Sequence, residues 1–425
     1  MLKKISLALI WIMSISARTL TLEDAECIAV QENKELNALI ELSNASFERA
    51  QEIVSRYLPH ATFQGAYFKS EEKITLLPGF PAQDNFWTTG FQFSQLILSK
   101  KLYHEIKSGK FDYEAMKYEV ENFKNDLLYQ VRVAYWEAVL NKEDIRIQEE
   151  NISLLQESLS QEEKRQAAGK SAIYQVTQSK VAVANSRSNF YTSQRDYRRS
   201  INNLKQSLGV DPNEEIEVAD DFVNLGYLPD YFVQDPCYWQ SQAFDNNPQL
   251  RRQAYDVYSH YELKKSHEGE YLPEISTLAS YQQQFIPATK FTNQQYSWVG
   301  GFYLYWNLFD GFGRESRIRQ ELYRERASAY RYQRIADNLS LEVLNQLNET
   351  QESLAILRSS KESLELSELA LKQALDRLKA GKITSLEYRD SALGHLRARQ
   401  TYERSAFNVL RTYYDLKRIS GQDVE

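Results

Sequence analysis

The sequence has few of the features that mark disulfide-rich, nucleic-acid-binding or helical membrane proteins. It contains 2 cysteines in 425 residues, too few for a disulfide scaffold; we treat Cys27 and Cys237 as structural, and their number does not show whether they pair. The net charge of −7 gives no electrostatic support to nucleic acid binding. Beyond residue 17, no apolar run reaches the roughly 18 residues of a membrane-spanning helix. Membrane-spanning barrel strands are not excluded, because their apolar and polar residues alternate and give no long apolar run.

The first residues have the composition of a secretory signal peptide. Lys3 and Lys4 are followed by an apolar segment from Ile5 to Ile15 and by small residues up to Ala17. This order predicts that residues 1–17 are a signal peptide, which is removed on export. No cysteine lies at the predicted cleavage site, which argues against a lipid-anchored N-terminus.

No enzymatic site is visible in the sequence. It has no G-x-S-x-G motif, no phosphate-binding glycine loop and no catalytic Cys/His pairing. The histidines are scattered without metal-ligand spacing: His60, His104, His260, His267 and His395. We therefore predict no catalytic residues, no metal site and no cofactor.

A tripeptide and a later glycine occur twice at the same spacing. They are Ala168, Gly169, Lys170 and Gly209 in the first half, and Ala380, Gly381, Lys382 and Gly421 in the second. Self-similarity of this kind indicates one structural unit present twice. The predicted organisation is therefore a first repeat at 18–215, an inter-repeat segment at 216–235 and a second repeat at 236–425.

Both repeats show the same order of predicted elements. A helical pattern, at about 22–58 and 236–271, ends at a proline, and two stretches of alternating aromatic and polar residues follow, which predict strands of about ten residues. A longer helical pattern comes next, at about 101–167 and 313–379, with apolar residues in a seven-residue line typical of coiled coils. Such a helix is about 100 Å long. Ala-Gly-Lys is expected to end it, since glycine suits a left-handed C-cap, and a second helix returns.

Four predicted strands are too few to close a membrane barrel, for which about eight are the minimum. An open edge in lipid would leave backbone groups unpaired, so several chains would have to share one barrel. An ordinary sandwich core is the alternative, but four strands flanked by such long helices fit it poorly. Aromatic residues stand where a membrane-interface girdle would need them: Phe63, Tyr67, Phe86, Trp87, Tyr296, Trp298, Tyr303 and Trp306.

The chain resembles the TolC-like outer-membrane efflux protein family, the outer membrane factors. The resemblance rests on the duplicated Ala-Gly-Lys turns, the Tyr-Leu-Pro ends at 57–59 and 271–273, and "WNLFDGFGRESRI" at 306–318. It implies a mainly α fold with a β-barrel portion, in which long helical hairpins form a periplasmic tunnel. It also implies a homotrimer whose protomers each contribute four strands to a twelve-stranded transmembrane β-barrel. The implied partners are outer-membrane lipid, a periplasmic adaptor protein and an inner-membrane transporter.

The resemblance implies a gate beside the second turn. In the family, acidic side chains ring the closed periplasmic end of the tunnel, and the matching positions are Glu387 and Asp390, with Gln175 on the first repeat. Three chains would bring these carboxylates together, so that some should titrate upward. Residues Thr384 to Glu387 also form a capping box, which would stabilise the helix without any gate. Against this alternative, the first repeat has Gln175 and Gln178 where the second has acids.

The six turn residues, Ala168 to Lys170 and Ala380 to Lys382, are implied to dock the adaptor. The family's basic residue after the second glycine is replaced by Ile383, so this chain departs from the family's ion-paired latch. The predicted function is an outer-membrane exit duct of a tripartite efflux or type I secretion system, with a periplasmic extension. The alternative is a secreted coiled-coil structural protein or adhesin without a pore.

Overall fold

The computed structural model describes residues 18–74, 83–219, 235–287 and 292–422, and this part of the chain is mainly helical. The predicted signal peptide and most of the predicted inter-repeat segment lie outside the described residues. The helices are α1 (Leu22–Glu32), α2 (Lys34–Ser55), α3 (Lys100–Ala167), α4 (Ile173–Leu208), α5 (Pro236–Asn246), α6 (Pro248–Gly269), α7 (Gly313–Lys379) and α8 (Ser385–Ser420). The strands are β1 (Arg18–Leu20), β2 (His60–Ile74), β3 (Gln83–Leu98), β4 (Ile216–Val218), β5 (Glu274–Pro287) and β6 (Thr292–Tyr305).

The two long helices end where the sequence predicts. Helix α3 has 68 residues and α7 has 67, and both stop directly before their Ala-Gly turn. On the predicted seven-residue line Val131 and Val343 are fully buried, whereas Leu357 and Leu364 are half-buried. Among the helices of the described residues, none has a segment apolar and long enough to span a membrane.

The shorter helical patterns are each interrupted once, which the sequence analysis did not predict. Asn33 separates α1 from α2, and Asn247 separates α5 from α6. Asn33 caps α2, because its Oδ1 accepts hydrogen bonds from the N–H groups of Glu35 and Leu36, both at 3.0 Å. Pro248 occupies the first position of α6, where a missing N–H costs nothing. An Asn-Pro pair in a helical pattern was the available signal.

Contacts divide the chain into two compact units that do not follow the predicted repeats. One unit consists of Met1–Leu39, Glu121–Asn247 and Asp337–Glu425, and the other of Ile40–Val120 and Pro248–Ala336. Each unit therefore takes segments from both predicted repeats. The repeat boundaries stay predictions about the sequence, whereas the units describe how the folded chain packs.

The second unit contains a four-stranded antiparallel sheet in the order β2-β3-β5-β6. Its strands have 14 to 16 residues, longer than predicted. The first unit contains a small parallel pair, β1 with β4, which the sequence analysis missed because each strand has only 3 residues.

Candidate functional site

One face of the four-stranded sheet is aromatic. Because side chains alternate along a strand, the strand register decides which residues share a face. Phe63 packs on Phe91, with ring centroids 5.0 Å apart, and Tyr67 packs on Trp87 at 4.7 Å. The large apolar residues of this face, called here the aromatic face, are Phe63, Tyr67, Trp87, Phe91, Phe93, Ile275, Tyr281, Tyr296, Trp298, Phe302 and Leu304. Most of them are exposed in the protomer.

The opposite face of the sheet is rich in glutamine, serine and threonine. Gln282 donates a hydrogen bond to Thr88 Oγ1 at 2.9 Å across β5 and β3. The polar residues of this face, called here the polar face, are Thr62, Gln64, Thr88, Gln92, Ser94, Ser276, Ser280, Gln282 and Ser297, and the face also carries Leu278, Val299 and Tyr305. Tyr303 belongs to it and so does not share a face with Tyr296 and Trp298; the side chain of Phe86 lies outside the described residues. An aromatic face opposite a polar one is the pattern of strands between lipid and a water-filled lumen.

Both Ala-Gly-Lys turns have the same backbone. Gly169 and Gly381 have φ of 70° and 69°, and the predicted left-handed C-caps are confirmed. In the first turn Lys170 N–H donates to Arg165 O at 2.8 Å and Gly169 N–H to Gln166 O at 2.9 Å. The second turn repeats both bonds at its own positions. These are the two hydrogen bonds of a Schellman motif, which satisfy carbonyl groups at a helix end.

The helices that follow the two turns begin differently. Thr384 caps α8 in a capping box: Glu387 N–H donates to Thr384 Oγ1 at 3.3 Å, and Thr384 N–H donates to Glu387 Oε2 at 2.7 Å. The predicted capping box is therefore present. Helix α4 follows Ala172, which makes no side-chain cap. The carboxylate of Glu387 thus stabilises the helix start and is exposed at the same time.

A buried carboxylate joins the two turns. Glu162, in the last turns of α3, has a side chain only 4% exposed. Ser385, the first residue of α8, donates a hydrogen bond to Glu162 Oε1, and Ser171 donates one to Oε2 at 2.7 Å. Burial raises the pKa of Glu162, but the bonds from Ser385 and Ser171 and the charge of Arg165 hold this pKa below its ordinary value. The ionised carboxylate therefore holds both repeats at one point.

The three predicted gate residues, Gln175, Glu387 and Asp390, do not line one common groove. Gln175 lines a groove of about 350 Å³ together with Glu162, Thr384 and Ser385. The Ser171 hydroxyl lies within hydrogen-bonding distance of Gln175 Oε1 as well as of Glu162.

Asp390 lines a second groove of about 520 Å³. Gln178, its counterpart in the first repeat, lines the same groove and donates a hydrogen bond to the Tyr174 hydroxyl at 2.7 Å. Glu387 lines neither groove. The six turn residues are all exposed, and Ile173 and Tyr174 add an exposed apolar surface beside the first turn.

Sequence reasoning missed Glu162. Its partner in the second repeat, Ser385, is 223 residues away in sequence. One signal was available in the sequence. Glu162 stands two helical turns after Leu155, which is buried, and at that position the helical pattern would place another apolar side chain.

The cysteines and histidines have ordinary surroundings. Cys27 and Cys237 are exposed and form no disulfide, so their assignment as structural residues is not supported. Three of the histidines each lie beside one glutamate, as His104 lies beside Glu262. Within the described part of the chain no group of three or more His, Cys, Asp or Glu residues could hold a metal ion.

Solved structures of outer-membrane channels share this fold. The outer-membrane channel OprN is 17% identical, with a TM-score of 0.76 over 94% of this chain and 89% of its own. The Campylobacter jejuni CmeC outer membrane channel is 14% identical, with a TM-score of 0.77 over 94% and 85%. The open state of the Neisseria gonorrhoeae MtrE outer membrane channel is 14% identical, with a TM-score of 0.74 over 94% and 88%. No curated protein matches the chain in sequence.

The chain therefore shares the fold of these outer-membrane channels. The model of one family, outer membrane efflux protein, matches residues 28–210 and 239–422. The chain belongs to the outer membrane efflux protein family, whose members are outer-membrane channels with a periplasmic tunnel. The predicted resemblance, localisation and efflux function are confirmed, and the alternative of a secreted coiled-coil protein without a pore is set aside.

Proposed function

We propose that three copies of this chain form a passive exit duct, which a periplasmic adaptor connects to an inner-membrane transporter. Four strands from each copy would close a barrel of twelve strands, and the long helices would form the tunnel. The duct itself carries out no chemistry: it gives exported substrates an aqueous path across the outer membrane.

The two faces of the sheet carry this proposal. Strands β2 and β6 are the edges of the sheet, and each has 14 or more residues. A free edge of that length is unstable in lipid unless another strand pairs with it. Pairing β2 of one copy with β6 of the next satisfies both edges and closes the sheet. The aromatic face then contacts lipid, and the polar face lines the lumen.

Two neighbouring residues on opposite faces provide the test. Tyr281 lies on the aromatic face and Gln282 on the polar face of β5. We expect Tyr281→Arg to reduce the amount of trimer inserted in the outer membrane, because a lipid-facing arginine costs about 2–4 kcal/mol near the midplane. Gln282→Arg should insert normally and shift the reversal potential of single channels towards anions. The same substitution at adjacent positions makes each variant the control for the other.

The opposite results would contradict the duct. If Tyr281→Arg inserts as well as the native chain and Gln282→Arg leaves the reversal potential unchanged, the sheet does not separate lipid from a lumen. Solubility of the mature protein without detergent would also contradict it. The amount of trimer can be measured by crosslinking and by gel electrophoresis, in which the trimer band shifts on heating.

We further propose that the turns form the gate and the adaptor-docking surface. Glu387 and Asp390 are exposed in the first turns of α8, so their copies would form a carboxylate ring in the trimer. The polar face of the sheet has no charged side chain among its described residues except at its two ends, so this ring, rather than the barrel, would contribute cation selectivity. Glu162 would hold the second turn against the first in the closed state, in place of an ion-paired latch. The exposed turn residues would receive the adaptor.

A further inference from the structure

The two strand-to-helix connections of the second unit differ. In the first repeat β3 ends at Leu98 and α3 begins at Lys100, so Ser99 alone connects them. Its Oγ accepts a hydrogen bond from Leu102 N–H at 3.1 Å, as in an ordinary N-cap. In the second repeat β6 ends at Tyr305 and α7 begins only at Gly313. Residues 306–312, called here the linker, have no counterpart in the first repeat.

The linker is held rigidly by the residues around it. Arg314 is buried, and its Nη1 donates hydrogen bonds to Glu270 O at 2.8 Å and to Asn307 O at 3.2 Å. Its guanidinium lies 4.0 Å from the centre of the Tyr271 ring. Trp306 Nε1 donates to Tyr271 O at 3.0 Å. The beginning of the linker is therefore fixed on the end of α6.

Ionic contacts hold the other end of the linker. Asp310 lies 3.1 Å from Arg317 Nη2, and the same guanidinium pairs with Glu270. Burial raises the pKa of Glu270, but hydrogen bonds from Arg317, His267 and Lys101 outweigh it and lower this pKa to about 2. Glu270 is therefore ionised at physiological pH and keeps its ion pair with Arg317.

This rigid linker presents apolar side chains outwards. Leu308, Phe309 and Phe312 are 73%, 71% and 65% exposed. The rings of Phe309 and Phe312 meet edge to face, with centroids 5.5 Å apart. Such a cluster of large exposed apolar residues indicates an interaction surface rather than random surface composition.

Phe312 occupies a position that suits a phenylalanine poorly. Its φ is 66°, and within the described residues it is the one non-glycine residue with positive φ. Phe312 O accepts from Ser316 N–H at 3.2 Å, so Phe312 stands at the N-cap of α7, where Ser, Thr, Asp or Asn in extended conformation is usual. A bulky residue in the left-handed region is strained, and such strain is found at functional positions.

We propose that Leu308, Phe309 and Phe312 form a membrane anchor that inserts into the phospholipid leaflet on the helical side of the outer membrane. The argument for lipid is continuity. On β6 the aromatic face runs through Trp298, Phe302 and Leu304 to the end of the strand, and the linker begins one residue later. This inference rests on the proposed duct, in which the aromatic face contacts lipid. Rigid attachment lowers the cost of insertion, because little conformational freedom remains to be lost.

Spin labels at single cysteines test the anchor. Cys27→Ser with Cys237→Ser provides the background, and nitroxides are placed by Phe309→Cys and Phe312→Cys in the full mature protein, in vesicles of phosphatidylethanolamine and phosphatidylglycerol. We expect labels at both positions to collide several-fold more with oxygen than with a water-soluble nickel chelate. Phe302→Cys on the aromatic face is the lipid control. Gln320→Cys, at an exposed position on α7, is the water control.

The controls separate this inference from the duct. If the label at 302 reports lipid and those at 309 and 312 report water, the anchor is refuted and the duct stands. A label at 302 in water refutes both. Spin–spin broadening between labels at 309 or 312 of different copies would show a contact between protomers and would also overturn the anchor.

Phe312→Gly offers a second measurement on a variant that folds easily. Because glycine suits a positive φ, this variant should melt in detergent at the same or a higher temperature than the native protein. In vesicles, a label at position 309 should then lose part of its preference for oxygen. A lower melting temperature combined with an unchanged label would show that Phe312 serves the fold alone, and the anchor would be rejected.

Discussion

The turn at Gly169 and the turn at Gly381 end their helices with the same two hydrogen bonds and the same left-handed glycine. The helices that follow them differ. Helix α8 begins with a capping box that contains an exposed carboxylate, and α4 begins without a side-chain cap. A shared backbone with different flanking residues suggests that the turn serves architecture in both repeats. Gating chemistry is then expected in the residues that differ, and Glu162 is the group that couples the two turns.

Loss of the Glu162 carboxylate should have the largest effect on both turns. Hydrogen bonds to a charged group contribute about 1.5–3 kcal/mol each, so Glu162→Ala should lower the free energy of opening at the turns by about 3 kcal/mol. Hydrogen exchange of two peptides, one that contains Lys170 and one that contains Lys382, measures this free energy of opening. Glu163→Ala removes the neighbouring exposed carboxylate and is the matched control. Unchanged exchange in both peptides would show that Glu162 does not couple the turns.

The coupling by Glu162 should also depend on pH. Its pKa in the folded chain lies below the ordinary value, so its contribution is complete above the ordinary glutamate pKa and is lost as pH falls through the lowered one. Turn exchange, corrected for its intrinsic pH dependence, should therefore rise on acidification in the native chain. In Glu162→Gln this rise should be absent.

Substitution of the two glycines should have equal, intermediate effects. No atom lies within 4 Å of a Cβ added at Gly169 or Gly381, so only the backbone conformation opposes alanine, at about 1–2 kcal/mol. Gly394 also has open space around it, but it lies inside α8 without positive φ. There alanine should stabilise the helix by about 1 kcal/mol. Thermal melting of the three variants checks this, and unequal losses at 169 and 381 would show that the turns are not equivalent.

Removal of the acids from the second turn should have the smallest effect on stability and a visible one on conduction. Glu387→Gln with Asp390→Asn should weaken cation selectivity in single-channel recordings, because the proposed ring loses its charge. Thr384→Ala is the control: it removes the capping hydroxyl, at a cost of about 1 kcal/mol, and retains both carboxylates. An unchanged reversal potential in the double variant, or a changed one in Thr384→Ala, would remove the gate from these residues.

Local pattern predicted much of the fold. The ends of α3 and α7 follow from helical periodicity and one glycine each, and the capping box follows from four consecutive residues. The breaks at Asn33 and Asn247 were missed because an asparagine cap is a weak signal within a longer helical pattern. The face on which Tyr303 lies could have been predicted, because β6 is regular and its odd-numbered positions lie on the face opposite Tyr296 and Trp298.

The sequence by itself determined where the long helices begin and end, that the turn occurs twice, and that the strands alternate aromatic with polar residues. These properties depend on neighbours a few residues apart, for which backbone propensity and periodicity suffice. Only the tertiary structure decided that Glu162 is buried between Ser171 and Ser385, and that Phe312 is strained and exposed at the start of α7. Both depend on contacts or backbone geometry set by distant segments, such as the hold of Arg314 on Glu270, which no local pattern specifies.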